Sequence, residues 1–173
     1  MTAFEGILAD DPHDRALVAS VRPPTWRPPA PARRYNLVVV GGGTAGLVCA
    51  AGAAALGARV ALVERALLGG DCLNHGCVPS KALLHEARVA HATGREVDFA
   101  VMMGRLRARR AHIGHHDAAE RFRSLGVDVF FGQARFAGRD RVEVGDATLR
   151  FARAVVATGA RAARVPVPGL AQL

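Results

Sequence analysis

Short apolar runs alternate with helix-like stretches through the middle of the chain. Residues 35–40 (YNLVVV), 58–64 (ARVALVE) and 127–131 (VDVFF) are compact, valine-rich runs, which favour buried strands. An alanine-rich stretch lies between the first two runs and reaches about Leu56, as expected of a buried helix. Strand, turn, helix and strand in this order make a βαβ unit with parallel strands. The pattern therefore predicts an α/β fold.

The second half of the chain is predicted to hold two more helices and then several short strands. The spacing predicts a helix from about Val78 to Ala92 and a longer, polar-faced helix that ends near Ser124. Between residues 133 and 151 the runs ARFA, RVEV and TLRF are separated by GRD and GD, which is typical of an antiparallel β-meander. A last apolar strand, RAVVAT, leads to Gly159. We therefore expect a mainly parallel sheet with a small antiparallel β-meander.

The prolines divide the chain into segments. Six of the nine lie within residues 1–34, and we interpret this segment as a proline-rich, extended lead-in outside the core. Residues 35–169 are predicted to form one domain, which suits a chain of 173 residues, and residues 170–173 form a tail.

The charge and the apolar runs exclude several classes of partner. The formal charge is +8, but the arginines are scattered and no aromatic residues alternate with them, so nucleic acid is not an expected partner. We interpret RLRARR (residues 105–110) as a solvated helix face. Residues 36–58 carry no charge, but six glycines favour a strand, turn and helix over a membrane span. The N-terminus lacks a secretory apolar segment, so we expect a cytoplasmic protein.

A glycine-rich turn follows the first predicted strand. Gly41, Gly43 and Gly46 fit the pattern GxGxxG and open a helix. The first glycine allows the tight turn, the second lets backbone N–H groups approach a pyrophosphate, and the third allows close helix packing. Glu64 ends the second strand, where an acid accepts hydrogen bonds from a ribose. These features predict a Rossmann-like, FAD/NAD(P)-binding fold without deciding between the two dinucleotides.

Cys72 and Cys77 are separated by four residues, which leaves three interpretations. A structural disulfide would close a short loop and restrain the unfolded chain by only about 2 kcal/mol, and a reducing cytosol disfavours it. A zinc site with His75, His85 or His91 would ordinarily need a second cysteine pair. The third interpretation is a redox-active dithiol.

The dithiol interpretation depends on the helix that follows. Pro79 suits the first turn of a helix and so places Cys77 at the N-terminal end, where the helix dipole favours a thiolate. Lys81, the only lysine in the chain, lies one helical turn further on and adds a cation. Cys49, inside the helix that the glycines open, is predicted to be a small buried hydrophobe. We interpret AHIGHHD (residues 111–117) as a solvated helix face and not as a metal site.

The stretch GGDCLNHGCVPSK (residues 69–81) resembles the redox signature of the flavin-dependent pyridine nucleotide-disulfide oxidoreductases, which include dihydrolipoamide dehydrogenase, glutathione reductase and mercuric reductase. The order of glycine motif, acid, cysteine helix, meander and ATG (residues 157–159) is also that of the family. The resemblance implies that the first dinucleotide is FAD. It implies cofactor contacts at Gly41, Gly43, Thr44, Ala45, Gly46, Glu64, Gly70, Asp71, Cys77, Lys81, Ala134, Thr158 and Gly159.

The resemblance also implies roles for the catalytic residues and a reaction. Cys77 would be the thiol next to the flavin, Cys72 the thiol that meets the substrate, and Lys81 would lie near flavin N5. Electrons would pass from NAD(P)H through FAD to a Cys72–Cys77 disulfide. The run GCVPSKALL looks more like mercuric reductase or dihydrolipoamide dehydrogenase than glutathione reductase. Asp71 and the proline-rich lead-in look most like the mercuric-reductase branch, which implies Hg(II) as the substrate and the two cysteines as its transient ligands.

Two other functions remain open, a dihydrolipoyl dehydrogenase-like disulfide oxidoreductase and a FAD-binding domain without catalysis of its own. Members of the family continue into a nicotinamide-binding domain and a dimerisation domain. We therefore expect this chain to be the first part of such an enzyme, to be inactive alone, and to form a homodimer only as the full-length protein.

Overall fold

A computed structural model describes residue 8, residues 11–160 and residues 166–169. The helices are α1 (Pro12–Val21), α2 (Thr44–Ala55), α3 (Gly70–Asn74), α4 (Cys77–Thr93), α5 (Phe99–Gly114) and α6 (Ala119–Ser124). The strands are β1 (Tyr35–Val40), β2 (Val60–Glu64), β3 (Val127–Phe131), β4 (Ala134–Phe136), β5 (Arg141–Val144) and β6 (Ala147–Val156). The predicted tail, residues 170–173, lies outside the described residues, as does part of the segment before it.

The described strands form one sheet in the order β3-β2-β1-β6-β5-β4. β3, β2, β1 and the second half of β6 run parallel, whereas β4, β5 and the first half of β6 are antiparallel. The predicted α/β fold with a small antiparallel meander is confirmed. The valines of β1 alternate between two apolar clusters, because Val39 packs with the helices and Val38 and Val40 pack with the meander.

Two of the predicted boundaries are wrong. TLRF and RAVV were expected in separate strands, but they form the single strand β6, which pairs with β5 at its start and with β1 at its end. The long helix expected to end near Ser124 is divided into α5, a 3₁₀ turn at His115–Asp117 and α6. The division occurs because Ala118 has an extended backbone, with ψ of 139°. The short helix α3 was not predicted.

The N-terminal segment is not the extended lead-in that its prolines suggested, because residues 12–21 form α1. Asp11 caps this helix by accepting a hydrogen bond from the backbone N–H of Asp14 at 2.8 Å, and a proline occupies the first turn, where it is well tolerated. Leu17 and Val21 are fully buried and belong to the helix-side core. The core therefore begins well before residue 35.

The proline-rich residues 23–31 cross the outer strand of the sheet. The indole N–H of Trp26 donates to the carbonyl of Val129 in β3 at 3.0 Å, and the Trp26 and Phe131 rings meet edge to face at 6.0 Å. The guanidinium of Arg123 lies 3.7 Å from the centre of the Trp26 ring, a cation–π contact. The segment is therefore anchored to the sheet by one aromatic side chain.

Candidate functional site

The strands β1, β2, β3 and β6 end at one edge of the sheet, where the predicted cofactor residues meet. Backbone hydrogen bonds continue between neighbouring segments just past the ends of the strands. Gly41 N–H donates to the carbonyl of Val63 at 2.8 Å, and Ala157 N–H donates to the carbonyl of Val40 at 2.7 Å. Gly132 N–H donates to the carbonyl of Glu64 at 2.9 Å, and Ala134, Thr158 and Gly159 follow within two residues of these contacts. Ligands of open α/β sheets bind at this edge.

The three glycines of the GxGxxG motif have different structural surroundings. Gly41 has φ of 111°, and a Cβ there would overlap the carbonyl of Ala157. A Cβ on Gly46 would overlap the carbonyl of Gly41, so this position needs glycine for the crossing of helix and loop. Gly43 is different, because the nearest atom to a Cβ there would be the Cα of Gly70 at 3.6 Å. Its open face leaves room for a phosphate at the start of α2.

Glu64 is buried, and it holds the loops around it. One carboxylate oxygen accepts from the backbone N–H of Gly42 at 2.6 Å, and the other accepts from that of Ala66, also at 2.6 Å. Each carboxylate oxygen has capacity for a second hydrogen bond, so the predicted contact with a ribose is compatible with these two. The acid thus shapes the glycine turn in addition to the role that the sequence suggested.

The glycine loop (residues 41–46) contacts the beginning of α3 directly. Gly43 and Gly69 form a parallel β-bridge, and Gly69 N–H donates to Gly42 at 2.8 Å. A Cβ on Gly70 would lie 2.6 Å from the Cα of Gly43. Because both sides of the contact are glycine, the two backbones approach more closely than side chains would allow. The predicted dinucleotide site and the helix that carries Cys72 are therefore one continuous structure.

The two cysteines lie at the ends of a short loop, residues 72–77, which we call the dithiol loop. Cys72 is in α3 and is partly buried, and Cys77 is the first residue of α4 and is exposed; neither is in a disulfide. The carbonyl of Asp71 closes the loop by accepting from His75 N–H at 2.9 Å and from Gly76 N–H at 2.6 Å. The side chain of Cys77 is the leading influence on the pKa of Cys72, so the two thiols lie near each other at the ends of this loop.

The hydrogen bond with Cys77 is the largest of several effects that raise the pKa of Cys72. Burial and the negative charges of Cys77 and Asp117 act in the same direction, whereas a hydrogen bond with Thr44 lowers the pKa of Cys72. The net direction is upward, so the thiol form of Cys72 is favoured over the thiolate. Thr44, which was predicted as a cofactor residue, thereby links the glycine loop to the dithiol.

Lys81 and Asp71 have exposed side chains. Lys81 lies one turn after Cys77 on α4 as predicted, and both border a groove of about 250 Å³ between α4 and α5. The residues that line the groove are Cys77, Val78, Lys81, Ala82, His85, Arg109 and Ile113. The groove gives Cys77 an open side, whereas Cys72 faces the glycine loop.

A family model places these features in a wider context. Residues 35–173 match the model described as pyridine nucleotide-disulphide oxidoreductase. The chain belongs to this family.

Similar proteins within the family include both predicted branches. The chain is 34% identical over 149 residues to a dihydrolipoyl dehydrogenase of Acholeplasma laidlawii, with 80% of the chain and 44% of that protein covered. It is 32% identical over 160 residues to a mercuric reductase of Acidithiobacillus ferrooxidans, with 80% and 28% covered. The chain therefore spans less than half the length of these relatives.

The solved structures point to the same family. A Cu(II) complex of a cysteine-to-serine variant of RclA, an HOCl-induced flavoprotein disulfide reductase of Escherichia coli, matches with a TM-score of 0.71 and 28% identity. The match covers 82% of this chain and 32% of RclA. The Rossmann-like flavoprotein fold is thus shown.

The site residues fit the FAD that this flavoprotein family implies. The bare face of Gly43 lies at the N-terminus of the twelve-residue helix α2, which offers backbone N–H groups to a pyrophosphate. Glu64, Ala134, Thr158 and Gly159 lie at the same sheet edge. The individual roles of these residues stay predictions.

Several side chains near the site were misjudged or missed from the sequence. Arg110 was expected in a solvated helix face but is only 4% exposed. Cys49 was expected to be buried but is exposed, because α2 turns Gly46, Leu47 and Ala50 to the sheet instead. Asp117 was treated as part of a polar helix face, yet burial raises its pKa and its charge acts on Cys72.

Within the described residues, no group of three or more histidine, cysteine or acidic side chains is arranged to hold a metal ion. No helix in this part of the chain has the length and apolar character needed to cross a bilayer.

Proposed function

We propose that this chain forms the FAD-binding and dithiol part of an NAD(P)H-dependent oxidoreductase that reduces Hg(II). The alternative acceptor is a disulfide of the dihydrolipoyl type. The observation that supports the shared part of the proposal is the direct contact between the glycine loop and the start of α3, the helix that carries Cys72. Identities of 34% and 32% to relatives of the two kinds do not separate the acceptors.

Residues at the carboxyl edge of the sheet would hold FAD. Gly43 and the start of α2 would receive the pyrophosphate, Glu64 the ribose, and Ala134 with Thr158 and Gly159 the neighbouring parts of the cofactor. When bound, FAD supplies two-electron reduction to the Cys72–Cys77 disulfide. Cys77 is the better candidate for the flavin side because it begins α4, next to the side chain of Lys81.

The dithiol can serve a disulfide acceptor with balanced chemistry. Cys72, as a thiolate, attacks one sulfur of the acceptor and forms a mixed disulfide, and the other acceptor sulfur leaves and takes a proton. Cys77 then attacks the Cys72 sulfur, which forms the Cys72–Cys77 disulfide and releases the second acceptor sulfur as a thiol. Two thiol protons and two electrons have moved from the protein to the acceptor. The raised pKa of Cys72 makes its deprotonation the step that nearby groups must assist.

For Hg(II), the same two residues act as ligands. Both thiols lose their protons on binding, and two soft thiolates suit a soft metal ion. Bound FAD would supply the two electrons that reduction of Hg(II) to elemental mercury needs.

The remaining parts of the activity belong to the longer proteins that this chain resembles. Relatives are more than twice as long as the matched region, and we propose that nicotinamide binding and homodimer formation depend on regions that this chain does not span. We expect the 173-residue chain alone to show no NAD(P)H-dependent turnover. We further propose a cytoplasmic protein that binds neither nucleic acid nor a membrane.

The first experiment tests the flavin and the dithiol together. The purified chain is loaded with FAD, oxidised, and titrated with dithionite without oxygen while the visible spectrum is recorded. We expect about four electron equivalents per flavin in the natural chain, and about two in Cys72→Ser or Cys77→Ser, because each disulfide accepts two. Cys49→Ser is the control and should behave like the natural chain.

The outcome also distinguishes the proposed functions. A chain that binds no flavin contradicts the proposal, and one that binds flavin but accepts only about two electrons is a FAD-binding domain without a redox dithiol. The reduced chain is then given Hg(II) or oxidised lipoamide in turn. Tight binding of one Hg(II) with loss of both free thiols favours the mercuric acceptor, whereas quantitative disulfide formation by lipoamide at low excess favours the alternative.

A further inference from the structure

A buried ion pair joins the N-terminal helix to the helix behind the dithiol loop. The Arg110 guanidinium in α5 pairs through Nη2 with Oδ1 of Asp14 in α1, and the two residues are 4% and 2% exposed. Removing two charges from water is costly, and apolar side chains of similar size often replace such a pair without loss of stability. The pair is therefore better explained by what it positions than by stability alone.

The same guanidinium reaches the dithiol loop. Nη1 of Arg110 donates to the backbone carbonyl of Asn74 at 3.1 Å, and this bond is buried. Asn74 follows Cys72 by two residues and precedes Cys77 by three. Asp14 thus reaches the loop through Arg110.

Asn74 is also fixed by its own side chain. Its amide donates to the carbonyl of Gly70 at 2.9 Å and to that of Leu68 at 3.3 Å. The Asn74 backbone is consequently held by Arg110 on one side, while its side chain is tied to the start of α3. Leu73, next to it, is 1% exposed and packs in the same core as Leu17 of α1.

We propose that α1 is a positioning element for the dithiol: Asp14 orients Arg110, and Arg110 holds the Asn74 backbone so that the loop sets the balance between dithiol and disulfide. The inference rests on the proposed redox role of Cys72 and Cys77. Forming the disulfide removes two protons and two electrons from the pair and demands a narrow range of Cβ and Cα separations. A loop held at its middle residue restricts how closely the two thiols approach. In the test, a small-molecule disulfide oxidises the two thiols. The Cys72–Cys77 bond forms as the S–S bond of the oxidant breaks, and the oxidant takes up the two electrons and two protons as a pair of thiols.

The structure contains a matched control on the same two elements. Arg107, three residues before Arg110 on α5, forms an ion pair with Asp11 at the start of α1. These two side chains are 24% and 19% exposed, and in the described part of the chain neither forms a hydrogen bond or an ion pair with the dithiol loop. Arg107→Gln therefore removes a charge between α1 and α5 but leaves Asn74 as it is.

The test measures the equilibrium between dithiol and disulfide in the 173-residue chain carrying Cys49→Ser. The protein is incubated at a series of ratios of reduced to oxidised dithiothreitol, quenched with acid and alkylated, and the oxidised fraction is read by mass spectrometry. We expect Arg110→Gln and Asp14→Asn to move the midpoint ratio by about tenfold or more, which is about 30 mV for a two-electron couple. Arg107→Gln should stay within about twofold of the parent.

Two further variants separate positioning from loss of stability. Asp14→Leu combined with Arg110→Met removes both charges and fills the space with apolar side chains. If a single variant does not fold, the double variant is used to measure the midpoint without the ion pair. Val142→Ala lowers stability in the distant meander, where Val142 is fully buried, and should leave the midpoint unchanged. Folding of each variant is checked by circular dichroism.

The results distinguish this inference from the proposed function. If folded Arg110→Gln and the double variant share the midpoint of the parent, the positioning role is wrong while the redox dithiol stands. An equal shift in Val142→Ala would also overturn it, because stability alone would then explain the change. If the parent forms no Cys72–Cys77 disulfide at any ratio, the proposed function fails, and this inference fails with it.

Discussion

Substitution of Leu17 tests whether the N-terminal helix is part of the core. Leu17 is fully buried in α1, and a Cβ added to Gly114 of α5 would lie 2.6 Å from one of its methyl groups. Leu17→Ala removes these apolar atoms and leaves a cavity between two helices. Buried Leu→Ala changes cost about 2–5 kcal/mol, and we expect about 3 kcal/mol here. For a chain of this size that corresponds to a fall in Tm of roughly 6–12 °C.

The assay is urea unfolding followed by the fluorescence of Trp26, the only tryptophan, and by circular dichroism. Trp26 lies against Phe131, so it reports on the N-terminal segment, whereas circular dichroism reports on the whole fold. Leu84→Ala on α4 is the control, because Leu84 is 55% exposed and should lose little. The reasoning is refuted if Leu17→Ala costs no more than Leu84→Ala, or if the fluorescence transition precedes that of the fold in the natural chain.

Three further predictions concern the site. Gly46→Ala should prevent stable folding or FAD binding, because its Cβ would overlap a loop carbonyl. In Gly52→Ala, on the same helix, the new Cβ meets nothing within 4 Å, and the substitution should raise the unfolding free energy by up to about 1 kcal/mol. Thermal melts compare the two variants. Glu64→Gln leaves one of two backbone N–H groups without an acceptor and should cost about 1–3 kcal/mol in the flavin-free chain, read by urea unfolding. Cys77→Ala removes the hydrogen bond that most raises the pKa of Cys72, so the alkylation rate of Cys72 should rise at a lower pH than in the natural chain; an unmoved pH profile would contradict the assigned cause.

The raised pKa of Cys72 makes the stability of the folded chain depend on pH. A raised pKa means that the folded state keeps the thiol proton at pH values where the unfolded chain has begun to lose it. Stability that this group contributes is therefore complete below the ordinary thiol pKa and is lost as the pH rises through the raised value. Cys77→Ala should make the alkaline loss of stability less steep, which pH-dependent unfolding would measure.

Local sequence patterns were sufficient to predict the edge of the sheet that is proposed to bind the dinucleotide. β1, α2 and β2 could be predicted because apolar runs, glycine spacing and a terminal acid are all contained in thirty consecutive residues. The position of Cys77 at the start of α4 could be predicted for a similar reason, since Pro79 marks a first helical turn. The structure adds that Gly41 and Gly46 serve the fold itself, whereas Gly43 has an open face.

Contacts between distant segments could not be predicted in this way. Arg110 lies in a run of arginines, and nothing in that run shows that Asp14 approaches one of them across 96 residues of chain. Residues 12–21 form a short helix whose burial depends on packing against α5, while the prolines that follow dominate the local composition. The effect of Thr44 on the pKa of Cys72 likewise joins residues that are far apart in the sequence, so a predicted cofactor residue also influences one of the thiols.

The anchoring of Trp26 over β3 has a consequence for aggregation. β3 is an outer strand of the sheet, and uncovered strand edges pair readily with other chains. Trp26 already occupies the carbonyl of Val129, and the prolines beside it have no N–H with which to extend the sheet. A chain that began at Tyr35, where the family match begins, would keep every motif residue and yet expose an apolar strand edge to its own copies. The segment without a motif is therefore the one that covers this strand edge.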